Sequence, residues 1–113
     1  MAIDEKSGNA TEGELRRGVL VLAVLSQLGG WQYGYSLRQV LAELGLPIEE
    51  GTLYPLLRRL EAQGLLASEW RIENGPPRRY YRLSGQGKRM HTDLKASWRE
   101  LVSIMDRVLK NGA

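Results

Sequence analysis

"EEGTLYPLLRRLEAQGLL", residues 49–66, is the stretch on which the fold turns. Leu53, Leu56, Leu57 and Leu60 fall at i, i+3, i+4 and i+7, the spacing of a helix with one buried face. Pro55 lies inside that run, where a proline normally breaks a helix. It costs little in a first turn, because the first backbone N–H groups have no acceptor there anyway. The stretch therefore predicts a helix from about Gly51 to Gln63, stopped by Gly64. Pro55 either marks its start or slightly kinks a helix that begins earlier. The opposite face gives Thr52, Tyr54, Arg58 and Arg59 to water. Free N–H groups and the positive dipole end at such a start suit a phosphate. Thr52 and Tyr54 add hydroxyls, and Arg58 or Arg59, one turn deeper, has the reach to meet a guanine edge. The alternative is that Pro55 is only a start signal and the arginines solubilise.

Upstream, "MAIDEKSGNAT", residues 1–11, is polar, small and aperiodic, and reads as a flexible tail. A first helix is predicted from about Glu12 to Gln27 or Leu28, ending at Gly29-Gly30. Its apolar run, Val19–Leu25, is too short for a membrane span, which takes about 20 residues. No small-x-small cleavage site follows, and Glu12 and Glu14 precede it, so it reads as a buried helix of a soluble cytoplasmic protein. "WQYGY" makes a turn. A second helix over about Tyr35 to Leu44 points Leu37, Val40, Leu41 and Leu44 inward, and "GLPIEE" leads into the third.

Downstream, the period changes from 3.6 to 2. "LLASEWRI" and "RRYYRLS" flank "ENGPP", and Asn-Gly is a strong hairpin signal. With Asn74-Gly75 at the turn, Leu66 faces Leu83, Ser68 faces Tyr81 and Trp70 faces Arg79. Those residues share one mostly apolar side, with Arg79 placed to stack on Trp70. Glu69, Arg71, Arg78, Tyr80 and Arg82 form a basic side. A last helix, capped by Ser84, runs to about Lys110. Met90, Leu94, Trp98, Leu101, Met105 and Val108 recur along it at spacings of four and three, like a heptad. Little of a 113-residue chain is left to cover such a stripe, so its economical partner is a second copy.

Positive charge is unevenly distributed. Residues 1–50 carry four Lys/Arg against seven Asp/Glu, and residues 51–89 carry eight against three. A basic middle segment is what a polyanion-binding face needs. The chain has no cysteine, hence no disulfide or thiolate chemistry, which is compatible with a reducing cytosol. Its one histidine, His91, has Asp93 two residues on, which a helix points elsewhere. No nucleophile–base pattern, metal-ligand set or phosphate-cradling glycine motif occurs, so neither catalysis, a cofactor nor a metal is expected.

Three helices followed by a hairpin give a mainly α chain with a small β-hairpin. This is the order of a winged helix-turn-helix, here with a long C-terminal dimerisation helix. The division expected is a tail over 1–11, a winged-helix DNA-binding domain over 12–84, and a dimerisation helix over 85–113. "GTLYPLLRRLEAQGLL", a Trp strand, a Gly-Pro tip and "RRYYRLSGQGK" ahead of a long helix containing "SW" together resemble the PadR-like transcriptional regulators of the short, single-domain kind. The resemblance covers about Leu15 to Leu109. It implies a homodimer on a pseudopalindromic double-stranded DNA operator, usually a repressor. Thr52, Tyr54, Pro55, Arg58, Arg59, Arg78 and Arg79 are the DNA-binding candidates, Arg78 ahead of Arg79 if Trp70 occupies the latter. Some short members bind flat aromatic compounds between paired tryptophans. By that likeness Trp98, with Leu94, Leu101 and Leu15, is a candidate site for a small aromatic effector, Lys95 disfavouring cations there. Plain dimer packing is the alternative for Trp98. A winged-helix protein–protein module, or a small-molecule-binding dimer without operator recognition, is the alternative for the whole.

Overall fold

The computed structural model describes the backbone of residues 5–112. In chain order it comprises α1 (Glu5–Ser26), β1 (Gln32–Tyr33), α2 (Gly34–Glu43), α3 (Glu50–Ala62), β2 (Leu66–Arg71), β3 (Arg78–Leu83) and α4 (Gly85–Asn111). Three helices build the core. Val24 and Leu25 of α1, with Leu28 just after it, meet Leu37 and Leu41 of α2 and Leu53, Leu56, Leu57 and Leu60 of α3. Leu66, Tyr81 and Leu83 close it from the sheet side. A chain without phenylalanine thus fills its interior almost entirely with leucine.

The stops of α2 and α3 have the same chemistry. At the end of α3, Leu65 N–H donates to Leu60 O at 3.0 Å and Gly64 N–H to Glu61 O at 2.9 Å, with Gly64 at φ +82. At the end of α2, Leu46 N–H donates to Leu41 O at 2.8 Å and Gly45 N–H to Ala42 O at 3.0 Å, with Gly45 at φ +94. Each glycine takes the left-handed conformation that lets two orphan carbonyls be satisfied at once.

The hairpin has the register expected from its turn, from Leu66 opposite Leu83 to Arg71 opposite Arg78. Asn74 sits at φ 44, a left-handed position that asparagine tolerates. Three features differ from the sequence reading. The first helix begins at Glu5, so residues 5–11 are helical and not a tail; residues 1–4 lie outside the described residues. Polar first turns carry no apolar period to announce them, yet a helix already nucleated downstream extends through them cheaply. "WQYGY" is not only a turn: β1 pairs antiparallel with β3, Gln32 with Tyr81 and Tyr33 with Tyr80. The sheet therefore has three strands, in the order β1-β3-β2. Lastly, Leu44, expected to face inward, is the C-cap of α2 and 67% exposed. α3 starts at Glu50, within one residue of the start expected near Gly51, with Pro55 inside it. Glu49 O accepts from Thr52 N–H at 3.0 Å and Leu53 N–H at 2.9 Å. Pro55 falls in the second turn and forgoes its bond to the Gly51 carbonyl. Both residues are exposed, so water can satisfy that oxygen.

Candidate nucleic-acid interface

α3 buries its leucines and leaves Thr52, Pro55, Arg58 and Arg59 exposed on the outward face. Among the described residues neither Arg58 nor Arg59 is in an ion pair, so both guanidinium groups are available to a polyanion. Glu50, at the helix start, is held by Arg38 at 2.9 Å, which tempers the negative charge beside the free N–H groups there. Tyr54 behaves differently from its neighbours. It is half-buried, packs against the core, and its ring lies over Gly34, where any Cβ would overlap it.

Across from α3 stands the wing. Between them runs a half-open cleft of about 350 Å³, lined by Tyr33, Gly34, Tyr54, Arg58, Trp70, Pro77, Arg78, Arg79 and Tyr81. Four of the seven DNA-binding candidates, Tyr54, Arg58, Arg78 and Arg79, meet there. Thr52, Pro55 and Arg59 lie on α3 outside its lining. One of the lining residues, Arg79, is held in an ion pair. Arg79 Nη2 donates to Glu61 Oε1 at 2.8 Å and its Nε to Ser68 Oγ at 3.1 Å, while Ser68 Oγ also bonds the other Glu61 oxygen. Arg79 also lies 5.7 Å from both the Trp70 and the Tyr81 ring centroids. Trp70 does occupy Arg79, but Glu61 holds it more firmly, being charged and directly hydrogen-bonded. Trp70 itself is 64% exposed, although it sits on the side expected to be apolar.

Burial is the main reason the Tyr81 phenol is pushed above its ordinary pKa of 10.0, with Arg79 partly opposing the rise. It therefore remains a neutral hydroxyl. Arg78 is exposed, its guanidinium 4.6 Å above the Tyr33 ring, and carries no ion pair among the described residues. Tyr33, Gly34, Trp70, Pro77 and Tyr81 were not read from sequence as lining residues. Only a two-residue strand brings Tyr33 to the wing, and no alternation can signal a strand that short.

At the other end of the molecule, Trp98, Leu101 and Leu15 are exposed, while Leu94 packs against the core. His91 lies 3.0 Å from Ser26 Oγ, which donates to Leu22 O at 2.7 Å. The pair links the start of α4 to the end of α1. Among the described residues no group of three or more His, Cys, Asp or Glu is placed to hold a metal ion. No helix there is long and apolar enough to cross a membrane.

A helix that presents arginines beside a basic wing matches a known family. The model of the PadR-like transcriptional regulator family fits residues 21–93. The chain belongs to the PadR-like family of transcriptional regulators. A Mycobacterium tuberculosis transcriptional regulator is 38% identical over 89 residues, covering 78% of this chain and 83% of that one. The crystal structure of a PadR family regulator from Eggerthella lenta superposes with a TM-score of 0.83 at 48% identity, over 93% of this chain and 94% of that one. A PadR-like transcription factor from Bacteroides fragilis gives 0.75 at 38% identity, over 88% and 98%. These relatives are transcriptional regulators, not enzymes, and the PadR-like chain carries their DNA-binding winged helix with its long C-terminal helix.

Proposed function

We propose that this PadR-like regulator is a homodimeric, cytoplasmic repressor that reads a pseudopalindromic operator with α3 and grips the adjoining backbone with the wing. The observation that carries this reading is the meeting of α3 and wing arginines at one cleft, Arg58 and Arg78 both without an ion pair among the described residues. In it, Arg58 and Arg59 enter the major groove, Thr52 and the α3 N–H groups meet a phosphate, and Pro55 lies against the sugar edge. Tyr54 contributes its hydroxyl from the cleft wall, and Arg78 contacts the backbone from the wing. Arg79, held by Glu61, shapes the cleft and contacts DNA less directly. The two α3 helices of a dimer should sit about 34 Å apart, or a multiple of it, to meet successive major grooves.

Because Tyr54 packs on the core, the informative substitution is Phe, which keeps the ring and removes the hydroxyl. Tyr54→Phe with Arg58→Ala should leave the fold intact and weaken operator binding, each lost good contact costing about 1–3 kcal/mol. The check is a gel-shift titration with a palindromic fragment of the protein's own promoter. Unchanged affinity would remove both residues from the interface and favour a protein–protein module. As for a small aromatic effector, Leu15, Leu94, Trp98 and Leu101 belong first to dimer packing in this reading. A planar dye that changed Trp98 fluorescence in a Trp31→Phe, Trp70→Phe background would add a ligand to that place.

A further inference from the structure

The sheet has a second face, turned away from the core, of which the DNA contacts proposed above use only Arg78. Arg78, Tyr80 and Arg82 alternate along β3 and so share this face, joined by Arg71 from β2 and Tyr33 from β1. Trp31, just before β1, completes it. Cations and rings interleave along the strip. Arg78 lies 4.6 Å over Tyr33, and Tyr33 is 5.5 Å from Tyr80. Arg71 lies 4.4 Å over Tyr80 and 5.4 Å over Trp31, and Arg82 lies 4.5 Å over Trp31 from its other end.

Among the described residues, these three guanidinium groups have one carboxylate in an ion pair with them, Glu69, which accepts from Arg71 at 2.7 Å. If the strip only needed its rings covered, aliphatic side chains would do so without gathering like charges. A guanidinium over a ring face engages it through charge and leaves N–H groups available for oxygen acceptors, apart from the Arg71 Nε that Glu69 takes. That is a preorganised arrangement for phosphate oxygens. The strip is also continuous with the α3–wing cleft, because Tyr33 and Arg78 belong to both. From Arg78 to Arg82 it runs four residues of strand, about 14 Å, the axial length occupied by about four phosphates of one DNA strand.

We propose that this outward face of the sheet is a second phosphate-binding surface, which takes the DNA backbone flanking the half-site read by α3. The inference rests on the DNA-binding reading above, shares Arg78 with it and adds Arg71 and Arg82, with Arg82, at the root of the wing, as the residue that separates the two. The operator is first selected by the full-length protein from a random-sequence pool. It is then used in two lengths, the selected core alone and the core with about ten unselected base pairs on each side.

The wild-type protein should bind the long fragment at least tenfold more tightly at low salt. Its slope of log affinity against log salt should be steeper by two or more units. Arg82→Gln should cut that excess by about two units, one for each wing of a dimer, while binding the core fragment as the wild type does. Arg82→Lys, which keeps the charge, should restore most of it. Equal affinities and slopes for the two fragments, or an excess untouched by Arg82→Gln, would overturn the proposal. A loss of core binding by Arg82→Gln would also overturn it, by making the residue structural. Failure to select any sequence would overturn the operator reading beneath it.

Discussion

Gly34 has no side chain because the Tyr54 ring occupies the place where one would go. The contact ties α2 to α3 and sets the height of the phenol at the cleft wall. An added methyl group has to push the ring outward or part the two helices. Overpacking of this kind costs about 1–3 kcal/mol. Gly34→Ala should therefore lower the unfolding free energy by that amount, seen as a lower urea midpoint, and Gly34→Ala with Tyr54→Leu should recover part of the loss. No recovery in the double variant would mean that the ring is not what the methyl group meets. His91 offers a residue-scale test of a different kind. Burial, reinforced by Lys95 one turn on, holds its imidazole below the ordinary pKa of 6.5. A folded-state value below the unfolded one means that the unfolded chain takes up the proton first as pH falls. Stability present above about pH 6.5 is thus lost as the pH drops from there towards the folded-state value. The Ser26 contact survives protonation, because with the Ser26 hydrogen committed to Leu22 it is His91 Nε2–H that donates. Melting temperature should fall more steeply for the wild type than for His91→Gln between about pH 7 and about pH 5.5. Parallel curves would show that His91 carries none of that dependence.

Among elements, the joint between α3, the wing and α4 is the most constrained. Ser84 Oγ accepts from Gly87 N–H at 3.0 Å, donates to Gly64 O at 2.6 Å, and Ser84 N–H donates to Leu65 O at 3.0 Å. One residue thus caps α4 and fastens it to the end of α3. Gly87, buried, brings the first turn of α4 so close to Leu65 that a Cβ would overlap its carbonyl oxygen. Here the obstacle is backbone, which cannot rotate aside. Gly87→Ala should destabilise by about 1–3 kcal/mol or more, and Ser84→Ala by about 1 kcal/mol through the lost cap. Chemical denaturation followed by circular dichroism checks both, and a neutral Gly87→Ala would refute the close approach. The cap, the hairpin register and the leucine face of α3 were legible because each depends on residues a few positions apart. What was not legible depends on partners far along the chain. Tyr33 becomes a strand residue only because β3 lies beside it, and the Arg79–Glu61 pair joins residues 18 positions apart. The start of α3 near Gly51 was legible too; the place of Pro55 in the second turn was not, because a proline there is ordinarily disfavoured. Exposure of the Gly51 carbonyl makes it tolerable here.

On the scale of the whole molecule, α3 and the wing present Arg58, Arg59, Arg78 and Arg82, and α4 presents an apolar stripe among its own charges. α4 carries Trp98, Leu101, Val102, Met105, Val108 and Leu109 to the surface beside Arg99 and Arg107, Leu109 67% exposed. An isolated chain with so long an apolar stripe is a poor monomer. α4 spans 27 residues, about 40 Å at 1.5 Å per residue, long enough for two copies to pack along the heptad-like face. Association would cover that face and hold two α3 helices in a fixed relation. The link between dimer and function is then one of effective concentration. Once one half-site is bound, the second is reached within the same complex, and losing that advantage costs about 10²–10⁴ in affinity. Leu101→Glu with Met105→Glu places two carboxylates in the stripe without touching the core, since both positions are exposed in the single chain. The variant should keep its helical circular dichroism signal, sediment as a monomer at micromolar concentration, and lose operator affinity by that factor. It should still bind half-site DNA weakly, with a shallower salt slope, because only one wing and one α3 then meet phosphates. A variant that still sediments as a dimer would show that α4 is not where the copies meet. One that is monomeric yet binds the full operator undiminished would show that DNA recognition needs only one chain.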